Sequence, residues 1–254
     1  MMAVREADTP SQRIVLVTGA GSGMGAACAK RFAQDHAGVL LVDIRSDAAT
    51  RIAESIKGSD VSTFTADIGS PADVDAAVDA CMTRFGRLDV LVNAAGILFP
   101  TRLFDVSPEE WGQVVRVNLT GAFLIARAAA RPMRERGWGR IVQFSSTAGK
   151  TVSTLGGVHY TATKHGVLGL TKAMAKELGS HGITVNAVCP GLIDTEMVRN
   201  ETTQAQRRSY AASFPVQRLG RPEEVADLVH FLASDAAAYI TGASVDISGG
   251  DLMV

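Results

Sequence analysis

Two groups of residues in this chain have the types and spacing to do chemistry together. The first is Thr18-Gly19-Ala20-Gly21-Ser22-Gly23-Met24-Gly25, which joins a short apolar run to a helical pattern. Glycines at such a junction let backbone N–H groups approach a pyrophosphate, while the helix N-terminus faces its charge. No Gly-Lys-Ser/Thr ending follows, so the turn is not of the kind that holds ATP or GTP. The second group is Tyr160 and Lys164, four apart in a helical pattern and therefore on one face. An ordinary tyrosine titrates near ~10, too high for a base at neutral pH, and a neighbouring ammonium lowers that value. A downward shift of about three units asks for roughly 4 kcal/mol. On its own, such a pair reads as an incidental surface pair. Its meaning depends on the company it keeps.

An acid follows the second apolar run, in Leu40-Leu41-Val42-Asp43. Asp43 can accept hydrogen bonds from both ribose hydroxyls of an adenosine, or it can cap the helix that follows; its distance from the glycines favours the ribose. A carboxylate beside a ribose 2′-phosphate costs about 1–4 kcal/mol per charge pair at contact distance. NAD is therefore the expected cofactor and NADP the alternative. Ser22 brings no positive charge into the turn, while Arg45 offsets part of the repulsion if it turns toward the ribose.

These residues need a scaffold, and the pattern around them supplies one. Short apolar runs (14–17, 39–42, 61–65, 88–92, 141–144, 183–188 and 243–247) alternate with longer helical stretches. Continuously apolar strands imply burial on both faces, as in a parallel sheet covered by helices. Ser70-Pro71-Ala72-Asp73, Ser107-Pro108-Glu109-Glu110 and Arg221-Pro222-Glu223-Glu224 read as helix starts. Gly38, Gly58, Gly86 and Gly182 stand where helices should stop. The expected fold is a single-domain, Rossmann-type, doubly wound α/β sheet of seven parallel strands over residues 13–254, after a flexible extension at 1–12. Leu192 to Gly220 breaks the rhythm, and is either a lid over the substrate or a helical insertion that packs.

From Arg13 to Met253 the chain resembles the classical short-chain dehydrogenase/reductase family. The glycine turn, Asn93-Ala94-Ala95-Gly96, Tyr160-Thr161-Ala162-Thr163-Lys164 and Pro190-Gly191 carry the resemblance, in the family's order. It implies that Tyr160 is the general acid–base and that Lys164 both assists it and holds the nicotinamide ribose. Ser146, rather than its neighbour Ser145, would hold the substrate oxygen. Asn118 would distort its helix and position a water that links Lys164 to solvent; a satisfied buried Asn is the alternative. The remaining cofactor contacts implied are Gly19, Gly21, Ser22, Gly23, Met24 and Gly25, then Asp43 and Ile44, Asp67 and Ile68 beside the adenine, Asn93, Ala94 and Gly96, Pro190 and Gly191, and Ile193 and Thr195 at the carboxamide. Asn93 could instead serve mainly as a tie between strands. The resemblance also implies a homotetramer paired through helices at Glu109–Arg134 and Val158–Leu178, where Gly166, Gly169, Ala173 and Ala175 permit close approach.

The bulk properties exclude several other functions. Net charge is −1 over 254 residues, and the arginines at 131, 134, 136 and 140 read as a solvated helix end, so neither nucleic acid nor an anionic membrane is an expected partner. Cys28, Cys81 and Cys189 are widely spaced in apolar stretches, and no metal-ligand spacing occurs, so packed thiols and no metal are expected. Neither a signal peptide nor a bilayer span is present, which points to a soluble, cytoplasmic protein. The function expected is hydride transfer between NAD and a secondary alcohol or ketone. The alternatives are an NADP-dependent reductase of 3-oxoacyl thioesters and a nicotinamide-binding protein without turnover. The substrate should meet Ile97 to Phe99, Val152 to His159 and the segment after Leu192, with Thr151, Thr154 and His159 as polar candidates; His159 either touches substrate or only packs.

Overall fold

The computed structural model describes residues 13–35 and 37–254; the extension expected at 1–12 lies outside the described residues. Seven strands form one parallel sheet: β1 (Ile14–Thr18), β2 (Gly38–Asp43), β3 (Val61–Thr65), β4 (Val90–Asn93), β5 (Gly139–Phe144), β6 (Ile183–Pro190) and β7 (Ser244–Ile247). Their order is β3-β2-β1-β4-β5-β6-β7. Successive side chains on a strand point to opposite faces. Leu16, Leu40, Leu91, Ile141 and Val185 therefore feed one core, and Val15, Val17, Leu41, Val92 and Val142 the other. Only the two edge strands, β3 and β7, leave most of their side chains half-buried, which explains why the five inner strands are mainly apolar.

The first core is covered by α3 (Pro71–Phe85), α5 (Ala122–Arg136) and α6 (Val158–Leu178). The second lies under α1 (Gly23–Gln34), α2 (Ser46–Ser55) and α9 (Pro222–Leu232). The helix starts form as their residue types dictate. The Ser70 hydroxyl accepts from the Asp73 N–H, and Ser107 from the Glu110 N–H, which begins α4 (Pro108–Val115). At the third start the Glu224 carboxylate reaches back to the Arg221 N–H. Gly86 ends α3 in the left-handed region, at φ 73°.

Two expectations need correction. Gly38 does not stop a helix but opens β2, where a Cβ would lie 2.6 Å from Ile14 Cδ1. The apolar run from Leu88 becomes strand only at Val90, because Asp89 turns inward as a buried acceptor for the Ile14 N–H and for Arg87 and Arg136. The helix expected over Glu109–Arg134 runs unbroken from α4 into α5 through a π-helical turn at Arg116–Gly121, which holds Asn118, the residue expected to distort it. The segment from Leu192 to Gly220 forms two short helices, α7 (Glu196–Glu201) and α8 (Gln204–Ser213), and returns to its origin. The Gly220 N–H donates to Leu192 O at 3.1 Å, and the Asp194 N–H to Gly220 O at 2.9 Å.

Asp89 closes the end of the sheet remote from the glycine turn. Removing one partner of a buried ion network leaves other charges uncompensated, at a cost of about 3–5 kcal/mol. Asp89→Ala is expected to lower the guanidinium unfolding free energy by that order, with nicotinamide-cofactor affinity of the folded protein unchanged.

Candidate active site

The sheet order reverses between β1 and β4, and a crevice opens there at the carboxyl ends of the strands. It forms a cleft of about 420 Å³. Its floor is the glycine turn. Gly19 sits at φ 64°, and a Cβ there would lie 2.8 Å from Ala95 Cα, so only glycine fits this approach of backbone to backbone. Ser22, Gly23, Met24 and Gly25 line the cleft, with Ile44, Ile68, Ala94 and Gly96 from the neighbouring strand ends. Gly21 bonds to the rim, its N–H donating to Asp43 Oδ2 at 2.8 Å. The Arg45 N–H donates to Asp43 Oδ1 at 2.9 Å. Each oxygen still has a lone pair for a ligand hydroxyl. The Arg45 guanidinium does turn this way, reaching Ser22 Oγ at 3.2 Å and lying 3.9 Å from Asp43 Oδ1.

Asp67 also faces the cleft. Burial pushes its carboxyl up, but Arg116 at 2.6 Å and the Gly69 N–H outweigh that and hold it below the usual range. Sequence reasoning missed Arg116, although a basic residue two before Asn118 in an apolar helical stretch was a usable signal. Asn93, expected at the cofactor, is 3% exposed and faces the sheet. Its Oδ1 accepts from the Thr18 hydroxyl at 2.7 Å, and its Nδ2 donates to Gln143 Oε1 at 2.7 Å. With both ends used, its side chain is a tie between strands.

The residues expected to react converge between this cleft and a second cavity. Ser146 and Tyr160 line that second cavity together, and the Ser146 hydroxyl favours the phenolate. Ser145 instead turns away, its hydroxyl donating to Lys164 O at 2.8 Å. Lys164 is 5% exposed, donates from Nζ to Phe144 O at 2.8 Å, and stands 5.5 Å from the Tyr160 ring centre. Burial lowers its pKa to about 8. Burial raises the Tyr160 phenol, opposed by the Ser146 hydroxyl. The lowering expected for this phenol rests on Lys164 and the positively charged nicotinamide ring together.

Asn118 lies in the π turn, 2% exposed. Its Oδ1 accepts from the Ile97 N–H and its Nδ2 donates to Ile97 O, both at 2.8 Å. A Cβ at Gly96 would stand 3.3 Å from Asn118 Oδ1 and 3.6 Å from Lys164 Nζ, so glycine there lets the three groups meet. The second cavity is walled by Leu98, Leu155, Leu192, Met197 and Val198, with Pro190, Gly191 and Ile193 beneath and Thr195 shared with the cleft. α7 thus roofs both. Thr154 lines the cavity as expected. Thr151 and His159 do not, whereas Ser153, Glu201 and Asp251 do. Glu201 and Asp251 carried no local motif, because only the return of distant segments brings them there. Among the described residues no group of three or more His, Cys, Asp or Glu could hold a metal ion.

A family model described as enoyl-(acyl carrier protein) reductase matches residues 19–251. The 3-oxoacyl-(acyl-carrier-protein) reductase FabG of Pseudomonas aeruginosa is 39% identical over 243 residues, covering 95% of this chain and 98% of that protein. The acetoacetyl-CoA reductase of Rhizobium meliloti is 41% identical, covering 94% of this chain and 98% of that one. The crystal structure of a 3-oxoacyl-(acyl-carrier protein) reductase with bound NAD from Brucella melitensis superposes with a TM-score of 0.88 at 36% identity, over 96% of this chain and 93% of that one.

The depressed Lys164 has a consequence for stability. Below its ordinary value of 10.5 the unfolded chain takes up a proton that the folded protein accepts only near 8. The penalty to the fold therefore develops as pH falls from 10.5 to 8 and is constant below that. At 1.36 kcal/mol per unit it is on the order of 3 kcal/mol. Lys164→Met is expected to gain stability relative to the wild type at about pH 7 compared with about pH 10.5, measured by denaturant unfolding at both.

Proposed function

This chain belongs to the classical short-chain dehydrogenase/reductase family, and from that premise we propose that it interconverts a secondary alcohol and its ketone with NAD, using Tyr160 as the acid–base. It is an oxidoreductase with a nicotinamide cofactor acting on alcohol or keto groups. The observation that carries the finer reading is the convergence of Ser146, Tyr160 and the buried Lys164: the first two share one cavity, and Lys164 Nζ stands 5.5 Å from the Tyr160 ring centre.

The glycine turn, with its left-handed glycines and helix N-terminus, fits a pyrophosphate, and Asp43 fits a ribose. The cofactor, when bound, accepts or supplies the hydride. In oxidation, Ser146 holds the alcohol oxygen and Tyr160, ionised, removes its proton. Lys164 holds the nicotinamide ribose and, once charged, favours the phenolate. Asn118 fixes the Gly96–Ile97 backbone beside Lys164 and lies on the route, through a bound water, by which Lys164 exchanges protons with solvent. Ala94, Gly96, Pro190, Gly191, Ile193 and Thr195 would hold the nicotinamide, and Ile44, Asp67 and Ile68 the adenosine.

NAD is favoured because Asp43 sits against the glycine turn. Arg45 offsets part of the repulsion that a 2′-phosphate would meet. A second reading, reduction of 3-oxoacyl thioesters, is favoured by the activities named for the P. aeruginosa and R. meliloti relatives. The apolar wall of the cavity suits an acyl chain in that case.

No helix among the described residues is long and apolar enough to cross a membrane, and a cytoplasmic homotetramer is part of the reading. Of the small residues on α6, Gly166 packs on Leu119 and Ala175 enters the core. Gly169 and Ala173 lie on the open face, free for a partner subunit.

Initial rates with NAD and with NADP, over secondary alcohols, polyols and hydroxyacyl thioesters, test the assignment. Turnover with NAD is expected to exceed turnover with NADP, and Tyr160→Phe to remove about 100- to 10,000-fold of it, with NADH affinity kept. Turnover confined to NADP and acyl thioesters would establish the second reading instead. Asp43→Ser is expected to move the kcat/KM preference toward NADP by about one to three decades.

A further inference from the structure

The first N–H groups of a helix have no helical acceptor. At the start of α6 the residue before the helix is Gly157, which offers no side chain as a cap. The Tyr160 N–H donates instead to Nδ1 of the preceding His159, at 2.8 Å. An accepting Nδ1 carries no proton, so the ring proton is on Nε2. Nε2 lies 2.7 Å from Glu110 Oε1 and donates to it. His159 is fully buried, at 0% exposure. Phe99 stands edge-on to the ring at 6.4 Å between centroids, and a Cβ at Gly157 would come within 2.9 Å of His159 Cε1.

Glu110 is placed for this at some expense to its own helix. It is the third residue of α4, from which a carboxylate ordinarily turns back to the N–H of the capping residue. Here the Ser107 hydroxyl interacts with Glu109, and Glu110 turns to His159 and Thr101. Through His159, α4 thus grips the backbone of the residue whose phenol meets Ser146. Gln113, one turn on in the same helix, and Arg116, at the start of the π-helical turn that follows, reach the cofactor cleft.

We propose that Glu110 and His159 are positioning residues: Glu110 fixes the ring and its tautomer, and the ring holds the Tyr160 backbone so that the phenol meets Ser146 and the substrate oxygen. This rests on Tyr160 being the acid–base. Misplacement of a reacting group by about 1 Å costs about 100-fold in rate. Neither residue touches the substrate cavity, so the loss should fall on kcat and not on KM.

Two substitutions separate the two ends of the ring. In His159→Asn the amide oxygen replaces Nδ1 as acceptor; in His159→Gln the amide N–H replaces Nε2 as the donor to Glu110. His159→Gln is expected to lower kcat by about 10- to 100-fold with KM for alcohol and NAD little changed, and to speed hydrogen exchange of the Tyr160 amide in the cofactor-free protein. His159→Asn is expected to recover most of kcat and to keep that amide protected. Glu110→Ala should lower kcat and add little on top of His159→Gln, as for residues in one network. Wild-type kcat and exchange in His159→Gln would overturn the proposal. So would equal losses in both histidine variants accompanied by falling stability and cofactor affinity, since that is the mark of general packing. If Tyr160→Phe retained activity, the acid–base reading would fall separately, while the exchange comparison would still decide whether His159 anchors that amide.

Discussion

Three buried side chains, Thr18, Asn93 and Gln143, run as a hydrogen-bonded row across the carboxyl ends of β1, β4 and β5. The row crosses the point where the chain's crossovers diverge to opposite sides of the sheet. There the backbone must leave β1 and β4 in different directions and still keep Gly19 against Ala95. The Thr18 hydroxyl also accepts from the Ala95 N–H at 3.2 Å. The row therefore sets the separation of the two loops that form the cleft. Each of these polar groups would be costly if left unpaired so deep in the sheet, which makes the spacing of the crevice a property of the core.

The corner that holds Tyr160 and Lys164 is governed by a different balance. Burial raises the Tyr160 phenol and brings the Lys164 ammonium down to about 8. Both groups are thereby pushed toward their neutral forms. Ser146 and the Phe144 carbonyl hold them in place, but neither supplies the charge that would ionise a phenol. Perturbed titratable groups that face one another in a cleft are the usual mark of acid–base machinery. Here the perturbation is dominated by desolvation, so activation must come with whatever charge binds beside Lys164.

Much of this was legible in the sequence because it depends on local rules. The inner strands read as mainly apolar runs, and Ser-Pro starts and Gly86 set helix ends through capping. The glycine turn and Asp43 were found from their placement at strand ends. What the sequence hid depends on long-range return. Glu201 and Asp251 enter the substrate cavity only because the segment after Leu192 folds back on itself. The Glu110–His159 pair joins residues far apart in the chain, and the acid follows a Ser-Pro pair that reads as an ordinary cap. Asn93 suits a ligand or a strand tie by type and position, and only the register of β1, β4 and β5 shows that its side chain ties the strands. Spacing gives the proximity of Tyr160 and Lys164 but not the burial that raises the phenol and lowers the ammonium.

The most direct test of the account is the fate of the carbinol hydrogen. A secondary alcohol that is turned over with NAD would be offered with deuterium on its carbinol carbon, and the products examined by NMR. The account predicts the label at C4 of the reduced nicotinamide, on one face only. Label lost to water or distributed over both faces, with ketone still formed, would contradict direct hydride transfer in this site.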